Sequence, residues 1–471
     1  MMRPHLGTRL GALACTLMGV MLAACASLPP STLSSDLAQR PATAVQIVGS
    51  RGPLSTVQSK AVIDALQQRG PETDIFQRHL AVEEAIVGSP LTTDNAVVLL
   101  QDGPATYRAM LAAITAAVDH VNMETYIFDD DEVGQRFAQE LLAKQAQGVQ
   151  VNLMRDSVGT LATPKAFFEK LQAGGIAVLE FNPVNPLTAR KGWELNQRDH
   201  RKLLIVDGRT AFLGGINISS VYSGGSFSQA SRVRPGVGQE PGIAWRDTDL
   251  QLQGPVVAEL QRLFVAAWQQ QHGPQLAPRN YFPPPKAAGK EVVRAIGSSP
   301  EEPFSQIYAT LLSAIGSAET SVHITNAYFA PDPQLLAALK DAAARGVDVN
   351  LILPSKTDSW LVFHAGRGYY DELLQAGVKI HERRDAILHA KSVLVDGVWA
   401  TIGSTNLDWR SFLHNHELNA VVLGSGFGYQ LRAMFDKDLA ASNTVSLQAW
   451  RQRGLDMRLR EWFARVWEHW L

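Results

Sequence analysis

Apolar and polar positions along the chain follow one order that is written twice. An apolar run from Val121 to Phe128 leads into a segment of helical period from Glu132 to Gln147, then a glycine and a second short apolar run, Val149 to Met154. In the second half Val322 to Phe329, Pro333 to Arg345, Gly346 and Val347 to Ile352 repeat that order. A further helix follows in each half and ends in Leu-Gln-Ala-Gly, at positions 171–174 and 374–377, where the glycine is a helix C-cap signal. Strand and helix alternating at these lengths predict parallel βαβ units with helices on the sheet faces. A chain of 471 residues also exceeds what one hydrophobic core usually serves. The expected fold is therefore α/β, with two similar domains at residues 93–275 and 290–442, each a mixed sheet flanked by helices. A Pro-rich stretch from Gly273 to Gly289 joins them.

The flanks differ from the body. Arg3 and Arg9 precede an apolar run from Leu10 to Ala24 without acids, closed by Leu22-Ala23-Ala24-Cys25, which reads as a secretory signal whose end resembles the lipobox of bacterial lipoproteins. Residues 1–25 are then a removed leader, and Cys25 carries the lipid. The chain is expected in the cell envelope, lipid-anchored and facing the periplasm. Residues 26–92, rich in Pro, Ser, Thr and Gln, read as tether and lead-in with a helix near Ser59 to Arg69. Residues 443–471 read as an amphipathic C-terminal helix that mixes arginines with Trp462, Phe463, Trp467 and Trp470, a pattern that suits either a membrane interface or docking on the second domain. No run in the body is long enough to span a bilayer, so membrane contact is expected at the surface. A charged fraction of 19% and a net charge of −2 provide no global electrostatic reason for a nucleic-acid partner. Cys15 lies inside the leader, so acylation of Cys25 leaves no thiol for a disulfide.

The candidate chemistry lies on the same repeat. His200-Arg201-Lys202 runs to Asp207-Gly208 and then Gly214-Gly215-Ile216-Asn217, while His389-Ala390-Lys391 runs to Asp396-Gly397 and then Gly403-Ser404-Thr405-Asn406. The offsets 389 − 200, 391 − 202, 396 − 207 and 406 − 217 all give 189. His-x-Lys-x4-Asp followed by Gly-(Ser or Gly)-x-Asn resembles the signature of the phospholipase D superfamily. Tyr328-Phe329-Ala330-Pro331-Asp332 and the run Gly403 to Phe412 are similar to bacterial cardiolipin synthases. The resemblance implies that both copies meet at one active site on a pseudo-twofold axis, with His200 as nucleophile and His389 as general acid. It also implies phospholipid substrates, phosphatidylglycerol and in some cases phosphatidylethanolamine.

The residues support such chemistry by their type. One imidazole can attack phosphorus while the other protonates the departing alkoxide. Lys202, Lys391, Asn217, Asn406 and Ser404 can hold the equatorial oxygens. No metal or other cofactor is required. If Asp207-Gly208 forms a two-residue turn, Val206 pairs with Arg209 and His200 faces Gly215; in the second half Ser404 faces His389. A small residue across from each His would leave room for phosphate. Asp207 and Asp396, which the signature places with the catalytic set, sit at turn positions that suit a scaffold equally. Glu417, and Asp247 or Asp249, begin similar strands after each motif and are candidates to fix a His tautomer. Gly215 replaces the commoner Ser and is expected to cost one hydroxyl contact, leaving Ser404 alone. Two loops without counterparts, Asn182 to Asp199 with Arg190, Lys191 and Arg198, and Ser219 to Gly242, are candidate entrances for a headgroup. His414 and His416 read as rim residues, and the stretch from Trp360 to Tyr370 as helical core or, alternatively, the lining of an acyl-chain groove.

Overall fold

The computed structural model describes residues 28–29, 45–185, 193–194, 196–225 and 243–468. Cys25 and its leader, Arg190, Lys191, loop residues 226–242 and Trp470 lie outside the described residues. In the first half Ala177–Phe181, Gln150–Asp156 and His120–Thr125 run parallel, followed by antiparallel Leu203–Val206, Thr210–Gly214, Thr248–Gln253 and Leu91–Gln101. The second half repeats this with parallel Lys379–Arg383, Asp348–Pro354 and Ser321–Asn326, then antiparallel Lys391–Val395, Trp399–Gly403, Asn415–Leu423 and Glu291–Ser298. The opening strands of the halves pair with each other, Asn95 with Glu291 and Thr92 with Val293. Two mixed sheets thus merge into one. Helices cover both faces, so the polar residues that alternate with apolar ones along the parallel strands, such as Asn122, Asn152 and His323, are buried as well.

The core shows how firmly the halves are joined. One buried cluster unites Leu203, Ile205 and Leu250 of the first half with Leu394, Ile402 and Leu418 of the second. Separating the domains would expose that shared layer to water, at about 25 cal/mol per Å² of apolar surface.

The lead-in is folded where it is described, which corrects its reading as tether. Helices Thr56–Gln68 and Ile75–Ile86 are present, and Ile47, Ile75, Phe76 and Leu80 are buried in the second-half core. Glu83 of the second helix pairs with Arg294 at 3.0 Å and accepts from the Trp399 indole at 3.1 Å. The first strand of the first half begins at Leu91, and the segment before it is packed on the second half.

The hairpin register also differs from expectation by one residue. Val206 pairs with Thr210 and Val395 with Trp399, so each turn holds three residues, with Asp207, Gly208, Asp396 and Gly397 all in the left-handed region. By that register Lys202 lies across from Gly214 and Lys391 from Gly403. Tolerance of αL by Asp accommodates the extra residue.

The same turns correct the placing of Asp207 and Asp396 among the catalytic residues. The Asp207 carboxylate accepts the backbone amides of Val118, Asp119 and His120. Asp396 accepts those of Glu319, Thr320 and Ser321 and the hydroxyls of Thr320 and Thr73. Each carboxylate ties the turn to the start of the neighbouring parallel strand, away from the imidazoles. Asp396→Ala should therefore lower stability by about 2–4 kcal/mol by orphaning buried donors, measured by urea unfolding. The folded fraction at a permissive temperature should keep turnover within a few-fold.

The C-terminal segment is not one helix. Strand Ser442–Val445 precedes helices Leu447–Arg451 and Leu455–Val466, broken at Gly454. Among the described residues no helix is long and apolar enough to cross a membrane.

Candidate active site

Each motif reaches the middle of the molecule because the residues ahead of it cross to the other half. Arg198–Asp199, just before His200, pairs in parallel with Asn415 and His416, and Ala386–Leu388, just before His389, pairs in parallel with Ala244–Arg246. The His200 amide donates to the His416 carbonyl at 3.0 Å and the His389 amide to the Arg246 carbonyl at 2.8 Å. The next residues of those partner strands are acids. Glu417 therefore faces His200, with Nδ1 at 3.1 Å from both carboxylate oxygens, and Asp247 faces His389 Nδ1 at 2.7 Å. Every orienting carboxylate comes from the half that lacks its histidine.

That exchange brings the two motifs into one electrostatic site. Lys391 lowers the pKa of both His200 and Lys202, and Glu417 raises that of Lys391. Burial is the largest influence, pushing His200 down to about 4, Lys202 to about 7 and Lys391 to about 8. His389 is lowered too, first by burial and then by Lys391. Glu417 is held below the usual carboxylate range because the attraction of His200 and their hydrogen bond offset its burial. An ionised Glu417 accepting from Nδ1 leaves the lone pair of His200 on Nε2, the nitrogen a nucleophile needs.

The ammonium groups are anchored at the same place. Lys202 Nζ donates to its own motif's His200 carbonyl at 2.6 Å, and Lys391 Nζ donates likewise to the His389 carbonyl. Tyr126 stands over both His200, at 5.2 Å between ring centroids, and the Lys202 ammonium, at 5.1 Å. Tyr328 holds the matching place near His389 and Lys391, at 6.0 and 5.8 Å. Tyr222 and Trp245 pack against the His389 ring. The reading of the sequence missed Tyr126, Tyr222 and Trp245, which sit just past a strand, in a single helical turn and in a three-residue strand, segments too short to carry a periodic signal.

The amide and hydroxyl residues take less direct places than expected. Asn217 accepts from the Ile127 amide and donates to the Tyr222 hydroxyl, both at 3.1 Å, and that hydroxyl lies 3.4 Å from His389 Nδ1. Asn406 keeps a buried amide oxygen with no hydrogen-bond partner among the described residues. The Ser404 hydroxyl donates to Glu417, so it positions the carboxylate. At the equivalent Gly215 a Cβ would meet Asp247 Oδ1 at 2.2 Å. The glycine is thus room for Asp247, which corrects its reading as a lost phosphate contact. Asp249 is not beside a histidine either: it accepts from the Ile216 amide at 3.2 Å, with its pKa pushed well up by burial and by Asp247. His416, expected at the rim, is buried against Phe181.

A family described as cardiolipin synthase, PLD-like domain, matches residues 110–223 and 311–439. The chain belongs to this family. It is an enzyme of the phospholipase D superfamily, and each matched segment carries one His-x-Lys pair. The chain is 34% identical over 380 residues to the cardiolipin synthase of Geobacillus kaustophilus (strain HTA426), covering 80% of this chain and 72% of that one. With the major cardiolipin synthase ClsA of Bacillus subtilis (strain 168) it shares 34% over 379 residues, 80% of this chain and 75% of the relative. The fold is also that of phosphatidylserine synthase from Haemophilus influenzae Rd KW20, with a TM-score of 0.57 at 15% identity over 82% of this chain and 96% of that chain.

A phosphodiester is anionic, so lysines that are to hold one must be charged. With Lys202 depressed to about 7 and Lys391 to about 8, each is protonated below its pKa and neutral above it. The free enzyme should accordingly lose kcat/KM as pH rises through about 7 to 8. K202R, which removes the lower of the two titrations, should carry the alkaline limb upward to that of Lys391, because a guanidinium stays charged. Initial rates on a detergent-dispersed phosphodiester across this range check both outcomes.

Proposed function

We propose that the protein is a phosphatidyltransferase that forms cardiolipin through a phosphohistidine. The observation that carries the reading is the crossed pair of carboxylates, Glu417 on His200 and Asp247 on His389, each supplied by the half that lacks its histidine. His200 Nε2 attacks phosphorus of a phosphatidylglycerol, the bond from phosphorus to the headgroup glycerol breaks, and His389 gives that alkoxide its proton. In the second step the headgroup hydroxyl of another phospholipid yields its proton to His389 and attacks phosphorus, and the bond to His200 breaks. His200, neutral above about 4, suits attack; His389, held at 2.7 Å by Asp247, suits carrying the proton, since a close carboxylate stabilises the imidazolium. Lys202 and Lys391 neutralise the equatorial oxygens, and Asn217, Asn406 and Ser404 line or brace the pocket.

Family membership and the sequence of the leader support a place at the membrane, with Cys25 acylated and the body facing the periplasm. Loss of labelled palmitate from C25S would test the tether. The activity itself is tested by incubating the purified protein with phosphatidylglycerol, with and without phosphatidylethanolamine, and identifying products by mass spectrometry. Cardiolipin is expected. Phosphatidic acid alone would make the protein a hydrolase, and cleavage of DNA without lipid turnover would make it a nuclease.

A further inference from the structure

The last described helix presents its apolar stripe to water. Leu455, Leu459, Trp462 and Val466 are 76%, 65%, 67% and 58% exposed, and their spacing puts them on a single face. The opposite face, which packs on helix Trp360–Arg367, buries polar groups instead. There Glu461 pairs with Arg453 at 2.8 Å, Glu468 accepts from the Tyr369 hydroxyl at 2.7 Å, and Ala464 sits fully buried between them. A helix held in place by its acids and leaving Leu, Leu, Trp and Val outside has exchanged the usual faces of a surface helix.

The surroundings of the stripe identify what covers it. Phe463 and Trp467 widen it, and half-exposed Trp360 lies 6.5 Å from Phe463. Exposed Arg458, Arg460 and Arg465 flank it. Two copies meeting through this face would bring those arginines together, whereas lipid phosphates would neutralise them. Aromatic side chains over arginines are also what the boundary between headgroups and acyl chains accepts. The patch adjoins the reaction site: Asp358, two residues before Trp360, accepts from the Tyr328 hydroxyl at 2.6 Å, and Tyr328 stands beside His389 and Lys391.

We propose that helix Leu455–Val466, with Trp360, seats the protein on an anionic phospholipid bilayer and so turns the His389 side of the active site toward the membrane. The choice of lipid rests on the proposed function, while the need for a cover does not. The test uses the full-length chain with C15S and C25S, carrying the fluorophore NBD on L459C or, as control, on Y429C, a position 71% exposed on helix Ser425–Ala440. Vesicles of phosphatidylcholine with about 30 mol% phosphatidylglycerol should blue-shift the 459 probe and raise its emission roughly threefold, with less response to phosphatidylcholine alone. The 429 probe should stay unchanged. This reading is local, so it holds whether or not the N-terminal apolar run also inserts. A silent 459 probe, or equal responses at both positions, overturns the proposal. So does a 459 probe already blue-shifted without lipid that strengthens with protein concentration, which would mean a second copy covers the stripe. In the unlabelled chain, L459E/W462E should lower turnover of vesicle lipid by roughly tenfold or more while leaving detergent-dispersed phospholipid within about twofold. Equal loss on both substrates also overturns it. A responsive 459 probe on a protein that turns over no lipid upholds the docking face and defeats the proposed function; lipid turnover with a silent probe does the reverse.

Discussion

Asparagine in place of His200, or of His389, lowers kcat on phosphatidylglycerol by about 10⁴-fold or more, and the double variant is scarcely worse than either single one. The large loss follows from the site being shared: removing one imidazole deletes attack, removing the other deletes protonation, and each step is needed for a single turnover. Non-additivity follows for the same reason. The two losses are separable with a p-nitrophenyl phosphodiester, whose leaving group needs no proton. H389N should still release a stoichiometric burst of nitrophenol and hold phosphate on His200, seen by intact-protein mass spectrometry. H200N should show neither. Turnover within tenfold of the parent in either single variant would defeat the shared site.

The second large effect belongs to the carboxylates. E417Q and D247N are each expected to lower kcat by about 10²–10⁴-fold with the fold retained, because an amide no longer fixes the tautomer or balances charge on the ring. Ser404 and Gly215 show how closely the acids are held: one donates to Glu417, and the other leaves space that any side chain would take from Asp247. The crossed arrangement gives the prediction its direction. D247N should largely recover the nitrophenol burst on the p-nitrophenyl substrate, since Asp247 serves the proton donor His389, whereas E417Q should not, since Glu417 serves the attacking His200 from the opposite half. If E417Q is the variant that substrate rescues, the assignment of roles is reversed.

Much of this was legible in the residues. Strand, helix and strand repeated in the same order led to two mixed α/β units, because βαβ units are local in sequence and their period survives without tertiary help. The His-x-Lys pairs were legible for the same reason, and so were Glu417 and Asp247, each opening a strand beyond its motif. Asp249 was drawn from the same strand but faces the Ile216 amide, a distinction of two positions that periodicity cannot make. The hairpin register was missed because Asp at positive φ admits a three-residue turn as readily as a two-residue one.

What the sequence determined by itself is therefore the inventory: two copies of an imidazole and ammonium on apolar strands, amides and acids close behind, and a fold class able to carry them. Only the tertiary structure decided the pairing. His200 meets Glu417 across 217 positions and His389 meets Asp247 across 142, through short parallel contacts of Arg198–Asp199 and Ala244–Arg246 with the other half. Such contacts leave no periodic trace, because they are made by two or three residues whose partners are set by how the shared core closes. The same holds for helix Leu455–Val466, whose amphipathic pattern is plain in the sequence but whose apolar face points outward only because Glu461 and Glu468 find partners inside.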